Sequence, residues 1–203
     1  CHDSANGFQQ GFYQWNSSSH PITQNSGEGH VQDNTGCLKC HTGEGFIDQH
    51  VKGITPVMRD HFNPVTCSVC HDPHGSDNAH ALRVMGDWTI DSGQTYTNAG
   101  KGGLCIRCHS GRVSNPNTSA NSSRGAHYGN EADMLLGVNG IPFGKTLAPN
   151  SRHAAVVEDS CVACHMAPPS QSGPGIIEPP KVGSHTFSMR DTKGTEDPAD
   201  DTI

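Results

Sequence analysis

Apolar residues in this chain come in short clusters separated by long polar stretches. No apolar run approaches the ~20 residues that a membrane-spanning helix needs. Residues 1–36 are polar and rich in Gly, Ser and Asn, with one small aromatic cluster at Phe8, Phe12, Tyr13 and Trp15. Such an arm has no evident core of its own to join, so its aromatics are expected to dock on a prosthetic group or on another subunit. Residues 86–103 predict a small hairpin, with Trp88-Thr89-Ile90, a turn at Asp91-Ser92-Gly93, and Thr95-Tyr96-Thr97. Ser114 to Ser123 reads as a surface loop. Asn130 to Gly137 predicts a short helix with an Asn cap, acids in its first turn and a terminal Gly. A second helix is expected from about Arg152 into the segment at Cys161. Ala167 to Pro180 is Pro-rich and extended, and Asp191–Ile203 is an acidic tail. The expected fold class is mostly irregular coil with short α-helices and minimal β.

Composition changes the picture. Leu, Ile, Val and Phe make up 33 of 203 residues, while Gly and Pro supply 37. So few large apolar side chains rarely build a core by themselves. Either the chain is largely disordered, or something other than its side chains provides the interior. The length allows one domain, or at most two small ones. A net charge of −7 argues against a nucleic-acid binder, which needs a basic face. The chain opens at Cys1 without a secretory signal pattern, and the expectation is that such a segment has been removed.

The 9 Cys and 14 His are not scattered. Eight cysteines form four copies of C-x-x-C-H: Cys37/Cys40/His41, Cys67/Cys70/His71, Cys105/Cys108/His109 and Cys161/Cys164/His165. This spacing is the attachment signature of c-type haem. Residues three and four apart share one side of a helical turn, so two thiols can join the vinyl groups while the imidazole meets the iron. Paired C-x-x-C zinc sites want roughly 15–20 residues between pairs. Here 26, 34 and 52 residues intervene, and zinc gives no reason for a His after every second Cys. A disulfide framework leaves the same histidines unexplained. A thioredoxin-like motif would occur once rather than four times. Four haem c groups per chain are therefore expected. Covalent haem attachment takes place outside the cytoplasm, so the precursor is expected to be exported. Cys1 leaves three readings open: an acylated lipoprotein residue, the residue left by ordinary signal cleavage or, ranked last, the tail of a fifth motif.

His41, His71, His109 and His165 are the proximal ligands on this reading, and ten histidines remain for the open axial positions. The surplus favours bis-His, low-spin haems over ligation by Met58, Met85, Met134, Met166 or Met189. Distal candidates are His30, His74, His127, His153, His185 and His61, with His20 as a further one. Reciprocal ligation within stacked pairs would put His74 on the first haem and His30 on the second. It would put His153 or His185 on the third and His127 on the fourth. His2, His50 and His80 are expected to be structural. The haem propionates add to the negative charge, and Arg59, Arg83, Arg107, Arg112 and Arg152 lie near motifs as candidate partners.

Several runs resemble multihaem c-type cytochromes of metal-reducing bacteria. They are Cys67-Ser-Val-Cys-His-Asp-Pro-His-Gly, Cys37-Leu-Lys-Cys-His-Thr-Gly-Glu-Gly-Phe, His127-Tyr-Gly-Asn-Glu-Ala-Asp-Met-Leu-Leu-Gly, and Cys164-His-Met followed by Ser184-His-Thr-Phe. Four motifs in a chain of this size are most similar to the tetrahaem, filament-forming outer-membrane members, and the likeness covers roughly residues 30–190. The resemblance implies bis-His haems in a continuous chain and a homopolymer. It also implies a histidine donated between subunits, for which His20 and His2 are candidates. The implied division is a 1–36 arm with an inter-subunit role, a 37–190 tetrahaem domain and a 191–203 tail. The expected function is non-enzymatic electron transfer at the outer cell surface, after export through the periplasm. The expected partners are other electron-transfer proteins and extracellular acceptors such as metal oxides. A monomeric periplasmic shuttle is the alternative. A nitrite, hydroxylamine or sulfite reductase is a weaker one, since no motif ends in Lys.

Overall fold

The structure, a computed structural model, describes residues 8–21, 34–90, 93–111, 130–138, 145, 152–168 and 182–190. The 114–123 loop, the turn at Asp91-Ser92, most of the Pro-rich segment and the acidic tail lie outside the described residues, as do His2, His30 and His127.

The described chain is mostly coil carrying short helices and one two-stranded sheet, as the fragmented apolar pattern predicts. Helix α1 (Phe8–Ser17) is followed by α2 (Thr35–His41), α3 (Gly43–Phe46) and a π-helical turn at Ile47–Val51. Then come α4 (Cys67–Cys70), β1 (Trp88–Thr89), β2 (Thr95–Tyr96), a 3₁₀ turn at Gly100–Gly102 and α5 (Gly103–Ile106). The remainder is α6 (Glu131–Leu136), α7 (Arg152–Val156), α8 (Cys161–His165) and a 3₁₀ turn at Ser184–Thr186. Among the described residues no helix is long and apolar enough to cross a membrane.

The hairpin forms where the alternation places it, antiparallel, with Trp88 opposite Tyr96 and Thr89 opposite Thr95. Its Ile90 and Tyr96 join Ala99, Ile106, Ala132 and Leu136 in one small buried cluster, so sheet, third motif and α6 share a core. Leu38, Phe46, Phe62 and Val69 are buried as well. Helix α6 ends as expected at Gly137, whose φ of 73° is the left-handed conformation glycine adopts without strain. Asn130 occupies its N-cap position but makes no capping bond with its side chain.

Two expectations change. The helix expected to run from Arg152 into the fourth motif is broken into α7 and α8. Asp159 and Ser160, at φ 60° and 44°, interrupt it because their side chains reach back across the chain. Asp159 accepts from the Lys101 backbone N–H at 2.9 Å and pairs with its ammonium at 2.7 Å. Ser160 donates to the Ala99 carbonyl at 3.2 Å. These tertiary bonds to the strand-to-α5 connection outweigh one more helical turn.

The second change concerns the N-terminal arm, which finds a surface on its own chain. Helix α1 packs against the Ser184–Thr186 turn. Trp15 donates from its indole N–H to the Val65 carbonyl at 3.0 Å, and Gln14 accepts from the backbone N–H of His185 at 3.4 Å.

Candidate haem-binding site

Each C-x-x-C-H segment begins on a helical turn, which puts its two cysteines on one side. The first is the best capped. Asn34 accepts from Gly36 N–H at 2.9 Å to start α2, and Thr42 closes it by donating to the Leu38 carbonyl at 2.9 Å. The Thr42 hydroxyl then accepts from Gly45 N–H at 3.0 Å and starts α3. The first and third motifs meet reciprocally. Cys40 Sγ lies 3.9 Å from the Arg107 carbonyl, and Cys108 Sγ lies 3.9 Å from the Lys39 carbonyl. The fourth motif is brought to the third through the Asp159–Lys101 pair. Among the described residues no disulfide joins the eight motif cysteines.

Three of the four motif histidines, His71, His109 and His165, show a common device. His71 donates from Nδ1 to the His80 carbonyl at 2.7 Å. That carbonyl is presented by a turn that Asn78 organises, accepting from the backbone N–H of His80 at 3.2 Å and of Leu82 at 3.0 Å. His165 donates from Nδ1 to the Phe187 carbonyl at 2.9 Å. His109 has Nδ1 3.5 Å from the Glu131 carboxylate, and this neighbour, above all through its hydrogen bond, raises the imidazole pKa. Fixing the proton on Nδ1 turns the Nε2 lone pair outward as a metal ligand and increases its basicity.

Two of these rings lie close beside a second imidazole. His20 and His109 have centroids 6.3 Å apart and planes at 75°, while His71 and His185 are 6.0 Å apart at 44°. A metal between two imidazoles, at bonds of ~2 Å, separates ring centroids by about 6 Å. In both second imidazoles the neutral form is favoured. Burial, and then the nearby His109, lowers His20 to about 4, and burial, then His71, lowers His185. Ser18 donates its hydroxyl proton to the Trp15 carbonyl at 2.7 Å, so its oxygen accepts from His20 Nδ1 at 3.4 Å and leaves Nε2 as the ligand atom.

The pairs differ from the sequence expectation. His185 lies against the second motif rather than the third, and His20 lies against the third motif of its own chain. His61, His74 and His153 are exposed, and among the described residues no ring contact joins them to a motif histidine. Of the propionate candidates, Arg59 pairs with Asp48 and Arg83 with Asp72, each at 2.8 Å, and Arg107 stacks 4.0 Å above the Trp88 ring. Arg112 and the Arg152 side chain lie outside the described residues. Sequence reasoning missed Glu131, Asn78, Ser18 and the Phe187 carbonyl, because an orienting partner needs only an oxygen at the right place and leaves no spacing signature.

The donor set fits haem. It offers two thiols three residues apart, an adjacent imidazole that is anchored through Nδ1 at the second, third and fourth motifs and, at the second and third, another imidazole close beside it. Among the described residues no group of three or more His, Cys, Asp or Glu converges, as a zinc site would require. Residues 56–114, which span the second and third motifs, match the family model described as the doubled CXXCH motif. The match recognises two adjacent copies of the motif through which c-type haem is covalently bound. No curated protein and no solved structure matches the chain.

Proposed function

We propose that this protein carries electrons through four covalently attached, bis-His haems, one per motif. The observation that carries the reading is the pairing of His20 with His109 and of His185 with His71, each motif imidazole being anchored through Nδ1. Bound haem supplies a one-electron iron couple. The chain's own work is to hold that couple. The cysteines would hold the porphyrin edge, the paired imidazoles would bind the iron, and the orienting oxygens would set their basicity.

Both axial positions filled by protein leave no place for a substrate on iron, which favours electron transfer over reductase chemistry. The Ser184–Phe187 segment supports close spacing of the sites. It presents His185 to the second motif, the Phe187 carbonyl to His165 of the fourth, and the Phe187 ring to His20 at 4.6 Å. One short turn thus touches two motifs and the imidazole that lies beside a third.

The finer reading is an extracellular homopolymer that passes respiratory electrons to acceptors such as metal oxides and to other electron-transfer proteins. The motif-level resemblance to tetrahaem, filament-forming outer-membrane cytochromes supports it. Intact mass should show four haems per chain, with wholly low-spin spectra that cyanide and nitrite leave unchanged. Electron microscopy of the purified holoprotein should show filaments. Monomers at every concentration would leave the shuttle alternative, and a haem that binds nitrite would favour the reductase.

A further inference from the structure

His50 stands apart from the other histidines. Both of its ring nitrogens are buried, and neither has a hydrogen-bond partner among the described residues. A buried polar atom left unpaired is costly, so two in one ring need a reason. The ring is walled by aromatics, with Phe46 at 4.9 Å and Trp88 at 5.5 Å between centroids. Arg107 covers Trp88. These walls orient the imidazole without bonding to it.

The backbone beneath His50 is unusual too. Ile47–Val51 winds as a π-helix, a form found mostly as single turns and often at functional sites. Asp48, 1% exposed, pins this turn. It pairs with Arg59 at 2.8 Å and Lys52 at 3.0 Å, and accepts from Val57 N–H at 3.2 Å. The turn packs back on α2, the helix of the first motif. It brings His50 to Cys40, whose sulfur, once a haem thioether, would have no proton to share with the ring. The second and third motifs already have a facing imidazole in His185 and His20. The thiol that His50 approaches belongs to the first.

We propose that His50 is the second axial ligand of the haem carried by Cys37, Cys40 and His41. This rests on the reading of the chain as a haem carrier. A ligand at Nε2 gives a buried lone pair the partner that the polypeptide withholds. The aromatic walls and the Asp48-pinned turn then act as its positioning frame.

The test uses the full-length holoprotein. Haem content is read from intact mass, and spin state from visible and electron paramagnetic resonance spectra. His50→Ala should keep four haems and turn one in four high-spin, and added imidazole should return it to low-spin. Limited peroxide bleaching of that variant, followed by mass mapping of haem peptides, should destroy first the haem on the peptide holding Cys37 and Cys40. His50→Met keeps a ligand of similar reach. It should stay six-coordinate while one haem in four takes on a His/Met signature, and this reads the site even where the Ala variant does not fold. A bare polypeptide mass in the wild type would overturn the haem reading and this inference with it. Full haem content with an unchanged low-spin His50→Ala, bleaching first at another motif, or a His50→Met spectrum identical to wild type would overturn the assignment alone.

Discussion

The imidazole of His20 crosses that of His109 at 75°, with ring centroids 6.3 Å apart, whereas His185 meets His71 at 44°. Near-perpendicular imidazoles leave the two iron orbitals that interact with them close in energy, and a smaller angle splits them. The third-motif haem should therefore give the most anisotropic low-spin resonance, and the second-motif haem a more rhombic one. His20→Ala should remove the first signal and make one haem in four high-spin. His185→Ala should do the same to the second signal, and the double variant should convert two. A His20→Ala spectrum that stays entirely low-spin would show that His20 is not a ligand in the folded chain.

Glu131 tunes rather than binds. Its carboxylate lies 3.5 Å from His109 Nδ1 and makes that imidazole more basic, which favours the oxidised iron. Glu131→Gln keeps the shape and removes the charge. The pair is half exposed, so solvent screens it, and the potential of one haem should rise by on the order of 20–40 mV. A spectroelectrochemical titration across all haems would read this as one component moving up while the others hold. A downward or uniform shift would rule out the tuning role.

What the sequence made legible was whatever has a period or a spacing. The four attachment motifs, the Trp88–Tyr96 hairpin and the Gly137 helix stop each follow from a local rule. Which spare histidine lies against which motif does not. His20 is 89 residues from its facing ring and His185 is 114 from its own, so nothing near either motif marks them. The expectation of neighbouring ligands favoured His74, which the turn built by Asn78 leaves exposed. The place of α1 was equally hidden. Its docking depends on one indole bond to Val65 and one amide bond at His185, which no pattern in residues 1–36 encodes. The low apolar count was the most informative global signal. The described chain buries only a small cluster around Tyr96 and a few side chains near the first two motifs, which leaves most of the interior to the haems.

Asp48 gives the fold a dependence on pH. Burial alone would raise its carboxyl pKa, but Arg59, Lys52 and the Val57 N–H outweigh that and hold it below the ordinary 3.8. A carboxyl depressed on folding adds stability that is fully present above 3.8 and is lost as pH falls through the lower folded value. Urea midpoints should thus be flat from neutral pH down to about 5 as far as Asp48 is concerned, and then fall. Asp48→Asn leaves Arg59 and Lys52 without a counter-charge, replaces one acceptor oxygen by an N–H donor, and should cost roughly 2 kcal/mol at pH 7. The variant should also lose part of the acid-limb slope, and an unaltered slope would show that other carboxylates set it.

Gly45 tests the packing that brings the first motif and the π turn together. A Cβ there would run into the Leu38 carbonyl and come within 2.7 Å of Thr42 Oγ1. The first obstacle is backbone of α2, which cannot step aside without breaking the Thr42–Leu38 bond that ends that helix. Gly45→Ala should therefore destabilise the protein by about 2–3 kcal/mol despite the better helix propensity of alanine. Gly36→Ala is the matched control. Its Cβ would meet only the side-chain oxygen of Asn34, at 3.1 Å, and a small adjustment relieves that, so stability should change by under about 1 kcal/mol. If the α2–α3 packing positions His50, Gly45→Ala should also turn some of the first-motif haem high-spin before the protein unfolds. Equal midpoints for the two variants would mean that the close approach of α3 to Leu38 is not what holds this region.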